Sequence, residues 1–408
     1  MAHTTSPLAD SQRFMIDRRI DAWLVHDFRN NNPIFARLLP SPTGGPRHVT
    51  RRLELIIPAR GTPTLIAHAI DASQFEGATL AGGPLTLVKY TSWSDLHQAL
   101  RTALAGHARV AMEYSPGGSL PVMGIVDAGT VELIRSLGVE VVSSADLVQV
   151  SVAGWGGALE EHRRASTIVD GIKDRAFGHI ARSIRDGSPI FEHTAAQFIR
   201  DQFKAAGLEW PDGPIVAVNA HAGDPHFEPS AANPTPIRAG DWILIDLWAR
   251  VPGDHNIYSD ITWTGFAGRD VPAEHRRVFD TVLAARDASL KLAQDSWSRG
   301  TPVQGWQLDD AARSVIIDAG FASAIRHRTG HSLSPGKMVH GLGMNLDNLE
   351  TRDTRQMLPG TGFTIEPGIY LPDAPHRLGV RSEINVYVDP ASGPIVTSGI
   401  QREPVLAI

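Results

Sequence analysis

The sequence predicts two domains, a small α/β domain over residues 1–154 and a larger α+β domain over 155–408, on three observations. Short apolar strands alternate with helix-like stretches from about residue 15 to 150. A glycine cluster at Ala153-Gly154-Trp155-Gly156-Gly157 interrupts that alternation, and beyond it the order helix, helix, strands occurs twice. At 408 residues, 42% hydrophobic and 20% charged, the chain is long enough to bury two cores.

In the first domain, Ala22-Trp23-Leu24-Val25 and Leu53-Glu54-Leu55-Ile56-Ile57 read as strands, and Asp95-Leu96-His97-Gln98-Ala99-Leu100 as helix. Its polar residues are scattered, with no pair at a spacing that suggests catalysis. Past the glycine cluster, the charged run at Leu159-Glu160-Glu161 opens a helix over 158–185, and Ser188-Pro189 and Gly207 bracket another over 190–206. A second helix pair spans 272–297 and 307–319, the latter closed by Gly320. The repeated order fits two similar units enclosing a cleft. Period-2 alternation puts Asp260, Thr262 and Thr264 on one strand face, and Arg381, Glu383, Asn385 and Tyr387 on one face of a strand Val380–Val388.

Composition excludes several classes. The net charge is -6, the pI is near 6.3, and there is no Lys/Arg block, so nothing points to a nucleic-acid or anionic-membrane partner. The absence of cysteine removes disulfides, thiolate catalysis and Cys-based zinc sites. Met1-Ala2-His3-Thr4-Thr5-Ser6 has no basic region leading into an apolar one, and no apolar stretch approaches membrane-spanning length. A cytoplasmic enzyme is expected.

The chemistry lies in an ordered set of carboxylates and one histidine. Asp246 interrupts the apolar run Trp242-Ile243-Leu244-Ile245-Asp246-Leu247-Trp248, and Asp260, His331, Glu366 and Glu383 follow in strand-like or turn settings. Any one of them alone would read as an edge residue or an ion pair. A buried, unpaired carboxylate is costly enough that four together call for a cation. Two divalent ions would balance four carboxylates, and oxygen ligands with one imidazole suit manganese first, with cobalt, zinc or iron as alternatives.

The segments Ile243-Leu244-Ile245-Asp246, Tyr258-Ser259-Asp260-Ile261-Thr262-Trp263-Thr264, Thr329-Gly330-His331, Phe363-Thr364-Ile365-Glu366-Pro367-Gly368-Ile369-Tyr370 and Val380-Arg381-Ser382-Glu383 resemble, in order, the motifs of the pita-bread metallopeptidases. The nearest branch is Xaa-Pro aminopeptidase (aminopeptidase P) and prolidase. The first domain resembles the creatinase/prolidase N-terminal domain more loosely. The resemblance implies an α/β N-terminal domain followed by an α+β pita-bread catalytic domain. It implies that Asp246, Asp260, His331, Glu366 and Glu383 hold two metals, with Asp260 bridging and Glu366 also shuttling the proton. It gives His226 a place beside the substrate, His327 the steadying of the tetrahedral intermediate, His340 a contact near the leaving group, and Arg381 the orientation of the site network. It further implies a homodimer or larger assembly acting on short peptides, with the N-terminal domain closing one side of the cleft.

This chain departs from the pattern at four places: about three extra residues near Pro252-Gly253-Asp254, about two near Ser334-Pro335-Gly336, Ser334 in place of a usual glycine, and Ile384 in place of a second acid. His255 and Asp254 read as solvated, and His221 and Glu228 as loop polarity. The activity expected is hydrolysis of the Xaa-Pro bond of short peptides. A creatinase-like or ectoine-hydrolase-like small-amide hydrolase, or a lyase on the same scaffold, is the alternative. A non-catalytic binding protein is disfavoured because no ligand is lost.

Overall fold

The computed structural model describes residues 7–41, 47–373 and 375–407. It separates into two compact units, Met1–Val152 and Ala153–Ile408. Among the described residues no helix is long and apolar enough to cross a membrane.

The first unit contains helices α1 (Pro7–Arg18), α2 (Pro33–Leu38), α3 (Trp93–Ala103), α4 (Ala128–Ser136) and α5 (Ala145–Val152). Its strands are β1 (Ala22–Phe28), β2 (Arg52–Pro58), β3 (Thr64–His68), β4 (Thr86–Tyr90), β5 (Arg109–Met112) and β6 (Glu140–Ser143), in the sheet order β4-β3-β2-β1-β5-β6. The sheet is mixed, because β1 pairs antiparallel with β2 and parallel with β5. Leu24, Ile56, Ile66 and Val110 pack against Leu96 and Leu100 of α3 and Val131 and Ile134 of α4. A capping box starts α3: Ser92 Oγ accepts from Asp95 N at 3.1 Å, and the Asp95 carboxylate accepts from Ser92 N at 2.9 Å. Glu113, fully buried just after β5, accepts from Trp23 Nε1 at 2.7 Å, Ser144 Oγ at 3.0 Å and Asn32 Nδ2 at 3.0 Å. Burial outweighs those bonds and pushes its carboxyl up to about 7.

The second unit opens with α6 (Leu159–Arg185) and α7 (Glu192–Ala205), followed by β7 (Ile215–Val218), β8 (Trp242–Ala249) and β9 (Ser259–Phe266). Then come α8 (Ala273–Ser298), α9 (Gly305–Asp318), β10 (Ser332–Leu333), β11 (Gly362–Ile365), β12 (Gly368–Leu371), β13 (Leu378–Arg381), β14 (Ile384–Asp389), β15 (Gly393–Val396) and β16 (Val405–Leu406). The sheets are β16-β9-β8-β7, β10-β11-β14-β15 and the pair β12-β13. All four long helices fall where the sequence predicts them, and Gly207 and Gly320 follow α7 and α9 with positive φ, the backbone state that ends a helix at glycine.

Both faces of the β7-β8-β9 sheet are covered. Ile243, Ile245, Leu247 and Ile261 meet Val169, Ile172 and Phe177 of α6 and Ile199 and Phe203 of α7. On the opposite side Trp242 and Leu244 meet Val278, Phe279 and Val282 of α8. The far half of α8 contributes Ala293 to a separate cluster with Phe363, Ile365, Ile384 and Val386.

One predicted strand is two. Val380–Val388 breaks at Ser382 and Glu383, where the chain leaves the β12-β13 pair and enters the sheet of β14. Polar demand causes the break: buried Arg286 donates to Ser382 Oγ at 2.7 Å and to Gln401 O at 3.0 Å, and Glu383 N donates to Thr262 O at 3.2 Å instead of to a sheet neighbour. The parity survives the break, because Val380 joins the α8 cluster and Ile384 and Val386 the next one, while Arg381, Glu383 and Asn385 turn to the polar side.

Trp155 ties the beginning of this unit to the sheet behind the site. Its Nε1 donates to Leu333 O at 2.7 Å, its backbone N–H to Gly360 O at 2.8 Å, and its ring packs on Tyr387 at 4.9 Å. A Cβ on Gly362 would come within 2.2 Å of that ring, so only glycine permits the approach. Trp155→Ala is expected to cost about 3–5 kcal/mol through the cavity it leaves, read as a lower urea midpoint.

Candidate metal centre

The antiparallel register of β8 and β9 opposes Asp246 to Thr262 and Trp248 to Asp260, so Asp246, Thr262 and Asp260 share a face. All three are buried. Thr262 Oγ1 accepts from Arg381 Nε at 2.8 Å and lies 3.1 Å from Asp246 Oδ1 and 2.9 Å from Glu383 Oε2. One hydroxyl thus joins two carboxylates, from β8 and from the segment before β14, to the arginine at the end of β13. Asn385 fixes the Asp260 backbone from both sides: its Oδ1 accepts from Asp260 N at 3.0 Å, and its Nδ2 donates to Asp260 O.

His331 enters at the start of β10. A Cβ on Gly330 would lie 2.1 Å from Thr364 O, so the histidine segment can lie against β11 only with glycine there. His331 N donates to Thr364 Oγ1 at 3.0 Å, and that hydroxyl donates to Glu366 Oε1 at 2.9 Å. His331 Nδ1 lies 3.1 Å from Ser332 O, an acceptor only, so the ring proton sits on Nδ1. The Nε2 lone pair then faces Asp260 Oδ2 at 3.4 Å and Glu366 Oε1 at 3.3 Å.

Electrostatics set the four carboxyls apart. Burial, opposed by Arg381 and aided by Asp260 and Glu366, pushes Asp246 up to about 7. Burial first, and neighbouring carboxylates next, drive Asp260 and Glu383 well above the usual range. Glu366 alone is held low: burial raises it, but His331, Arg381, His327 and His340 together outweigh that. Of these only Arg381 carries a fixed charge; the histidines pull Glu366 down only while protonated, and each is itself shifted toward its neutral form.

The donor set fits divalent cations. Ligand atoms of Asp260, His331 and Glu383 lie within 4.8 Å of one another. Glu383 Oε1, buried, has no hydrogen-bond partner among the described residues, which leaves a carboxylate oxygen aimed at nothing but a cation. Asp246 is held beside this group by an ion pair with Arg381 Nη2, and Glu366 by Thr364. Four carboxylates against one arginine leave excess negative charge that oxygen-preferring metals neutralise.

His327 joins the site through Tyr370, to which the sequence reading gave no role although it closes the Glu366 motif. Tyr370 Oη accepts from Arg381 Nη1 at 3.2 Å and donates to His327 Nε2 at 2.6 Å, while His327 Nδ1 donates to Arg328 O at 2.6 Å. Burial lowers His327 to about 4, so the ring is neutral. The His340 ring stands 4.0 Å from that of His331, whose proximity, with burial, pushes it down.

His226 makes no hydrogen bond or ion pair with this group among the described residues. Its side chain is exposed, and only its backbone N–H is held, by Asp224 Oδ1 at 3.0 Å. Nearby His221 is bonded to Glu192 at 2.9 Å and stacks on Phe227, a loop fastening. Thr262 and Thr364 also went unassigned from sequence. Their signal was parity alone, each lying two residues from a site carboxylate.

Buried carboxylates facing an imidazole whose metal-binding nitrogen is free, backed by an arginine and neutral histidines, define a metal-dependent hydrolase. The sequence matches the model of metallopeptidase family M24 over residues 160–390, more than half of the chain, and the chain belongs to that family. It is 26% identical over 340 residues to the probable dipeptidase PepE of Mycobacterium bovis, covering 83% of this chain and 81% of that protein. It is 32% identical over 207 residues to the putative dipeptidase YkvY of Bacillus subtilis, a match that spans 50% of either chain. Among solved structures, dipeptidase PepE of Mycobacterium ulcerans superposes with a TM-score of 0.71 at 23% identity over 98% of this chain and 97% of that one. The prolidase of Pyrococcus horikoshii superposes with a TM-score of 0.62 at 20% identity over 98% and 99%. These likenesses bear out the pita-bread fold.

The raised carboxyls make metal-free stability depend on pH. Folded Asp246 sits at about 7 and its ordinary value is 3.8, so between those values the folded chain holds a proton that the unfolded chain has lost. That stabilisation is complete at the low end and disappears as pH rises through about 7. Chelator-treated protein is expected to melt lower at about pH 8 than at about pH 5, with a smaller difference in Asp246→Asn. A divalent cation should narrow the gap, because the deprotonated site is the one that would bind it.

Proposed function

We propose that this M24 member hydrolyses the Xaa-Pro bond of short peptides with two divalent cations, manganese first, held by Asp246, Asp260, His331, Glu366 and Glu383. The observation that carries the reading is the convergence of Asp260, His331 and Glu383, with Glu383 Oε1 lacking any hydrogen-bond partner among the described residues. The order of the motifs and the dipeptidases and prolidase to which the chain is similar support the substrate class. We extend the reading to a cytoplasmic homodimer, on the family resemblance alone.

When bound, the cations activate water at neutral pH and stabilise negative charge on the carbonyl oxygen under attack. The protein's own groups handle the proton. Glu366 is the one carboxylate of the four held low, so it is free to accept a proton from water and pass it to the leaving nitrogen. Thr364 orients its Oε1. Arg381 fixes Asp246 and, together with neutral His327, whose two ring nitrogens are taken by Arg328 O and Tyr370 Oη, holds the Tyr370 hydroxyl in place, so that His327 acts on the site through that hydroxyl and adds no second positive charge.

Removal of metal should abolish hydrolysis of an Xaa-Pro dipeptide, and added manganese should restore it. Full turnover in metal-stripped protein would exclude the metallohydrolase reading. Glu366→Gln is expected to lower kcat by about 10²–10⁴-fold. His327→Ala should slow turnover with metal content unchanged, whereas His331→Ala should lose metal as well as rate, a contrast read by elemental analysis beside kinetics. Turnover of small amides with no cleavage of any Xaa-Pro bond would replace the peptide substrate with the amide.

A further inference from the structure

We propose that Arg250 pins two loops, the one between β8 and β9 and the one that follows β10, into a single rim, and that this rim positions His340 beside His331 and so governs turnover. The inference deepens the proposed peptidase activity and rests on it.

The loops lie on either side of one guanidinium. Arg250, 2% exposed at the end of β8, donates through Nη1 to Asn256 O at 3.1 Å in the first loop and to Gly336 O in the second. Its Nε donates to Glu209, and its Nη2 lies 3.6 Å from Asp254 Oδ1. The same cation sits 4.6 Å from the centroid of the Tyr258 ring, and Tyr258 Oη donates to Lys337 O at 3.3 Å. Two backbone carbonyls, two carboxylates and an aromatic face thus use the planar array of donors that only arginine offers.

The second loop is closed at its base as well. Gly341 N donates to Ser332 O at 2.7 Å and Leu342 N to Ser334 Oγ at 3.0 Å. His340 lies between that closure and the arginine-held tip, and its ring reaches 4.0 Å from the ring of His331. Tyr258, two residues before Asp260, places the clamp beside the strand that carries a site carboxylate. Arg250 is therefore a positioning residue. Its backbone pairs with Glu209 through two 3.0 Å hydrogen bonds, so removing the guanidinium leaves the strand pairing intact.

The test compares Arg250→Met and Tyr258→Phe with the parent chain, all manganese-loaded, by three readouts: hydrogen exchange of residues 332–342, metal content, and kcat and KM for an Xaa-Pro dipeptide. Arg250→Met is expected to speed exchange in 332–342 and lower kcat about tenfold, with KM and metal content close to those of the parent. Tyr258→Phe should do the same to a lesser degree. Unchanged exchange or unchanged kcat in Arg250→Met overturns the proposal. Should that variant fail to fold, Tyr258→Phe decides: faster exchange with reduced kcat supports the clamp, and parental values overturn it. A parent chain that cleaves no Xaa-Pro bond refutes the proposed function, and the exchange arm still decides whether Arg250 holds the rim.

Discussion

Three buried carboxylates, the partly buried Glu366 and a buried imidazole are gathered in the second unit with Arg381 as the one fixed positive charge among them, an arrangement that isolated burial would make unfavourable by several kcal/mol. Much of the neighbouring structure answers to that constraint. Arg381 holds Asp246, reaches Glu366 at 3.9 Å and anchors Tyr370, while Thr262 supplies the one hydroxyl through which Asp246 and Glu383 meet. Burial and mutual repulsion make Asp260 and Glu383 reluctant to ionise, and a cation between them would favour their charged forms.

Precision at the site comes from neutral groups as much as from charged ones. Thr364 accepts a hydrogen bond from the His331 backbone and donates one to Glu366, so a histidine from β10 and a glutamate following β11 share one hydroxyl. Ser332 O selects the His331 tautomer, and Arg328 O that of His327. None of these partners changes charge, so none competes with the carboxylates for the metal. They cost little desolvation, and each removes a rotational freedom from the residue it holds.

Much of the fold was legible because it depends on local period. The four long helices of the second unit follow from start signals such as Leu159-Glu160-Glu161 and Ser188-Pro189 and from the glycine stops at Gly207 and Gly320, and the polar face of β9 follows from alternation. The same rule misread Val380–Val388 as one strand, because alternation of side chains continues across Ser382 and Glu383 while the hydrogen-bonding partners of the backbone change. His226 is a different case. Its motif setting suggested the substrate side, yet its ring is exposed, with Asp224 holding only its backbone, a matter of loop conformation that motif order does not encode.

The sequence by itself determined the chemical types at the centre, since Asp246, Asp260, His331, Glu366 and Glu383 are unusual where they stand and their order matches one family. It also determined the helices and the face of each strand, because those depend on neighbours a few residues away. Only the tertiary structure decided which carboxylate belongs to Arg381, which oxygen is left without a partner, and that two loops more than 70 residues apart meet on Arg250. Those outcomes depend on distances between segments remote in the chain, and electrostatic and hydrogen-bond energies change too steeply with distance to be read from composition or spacing.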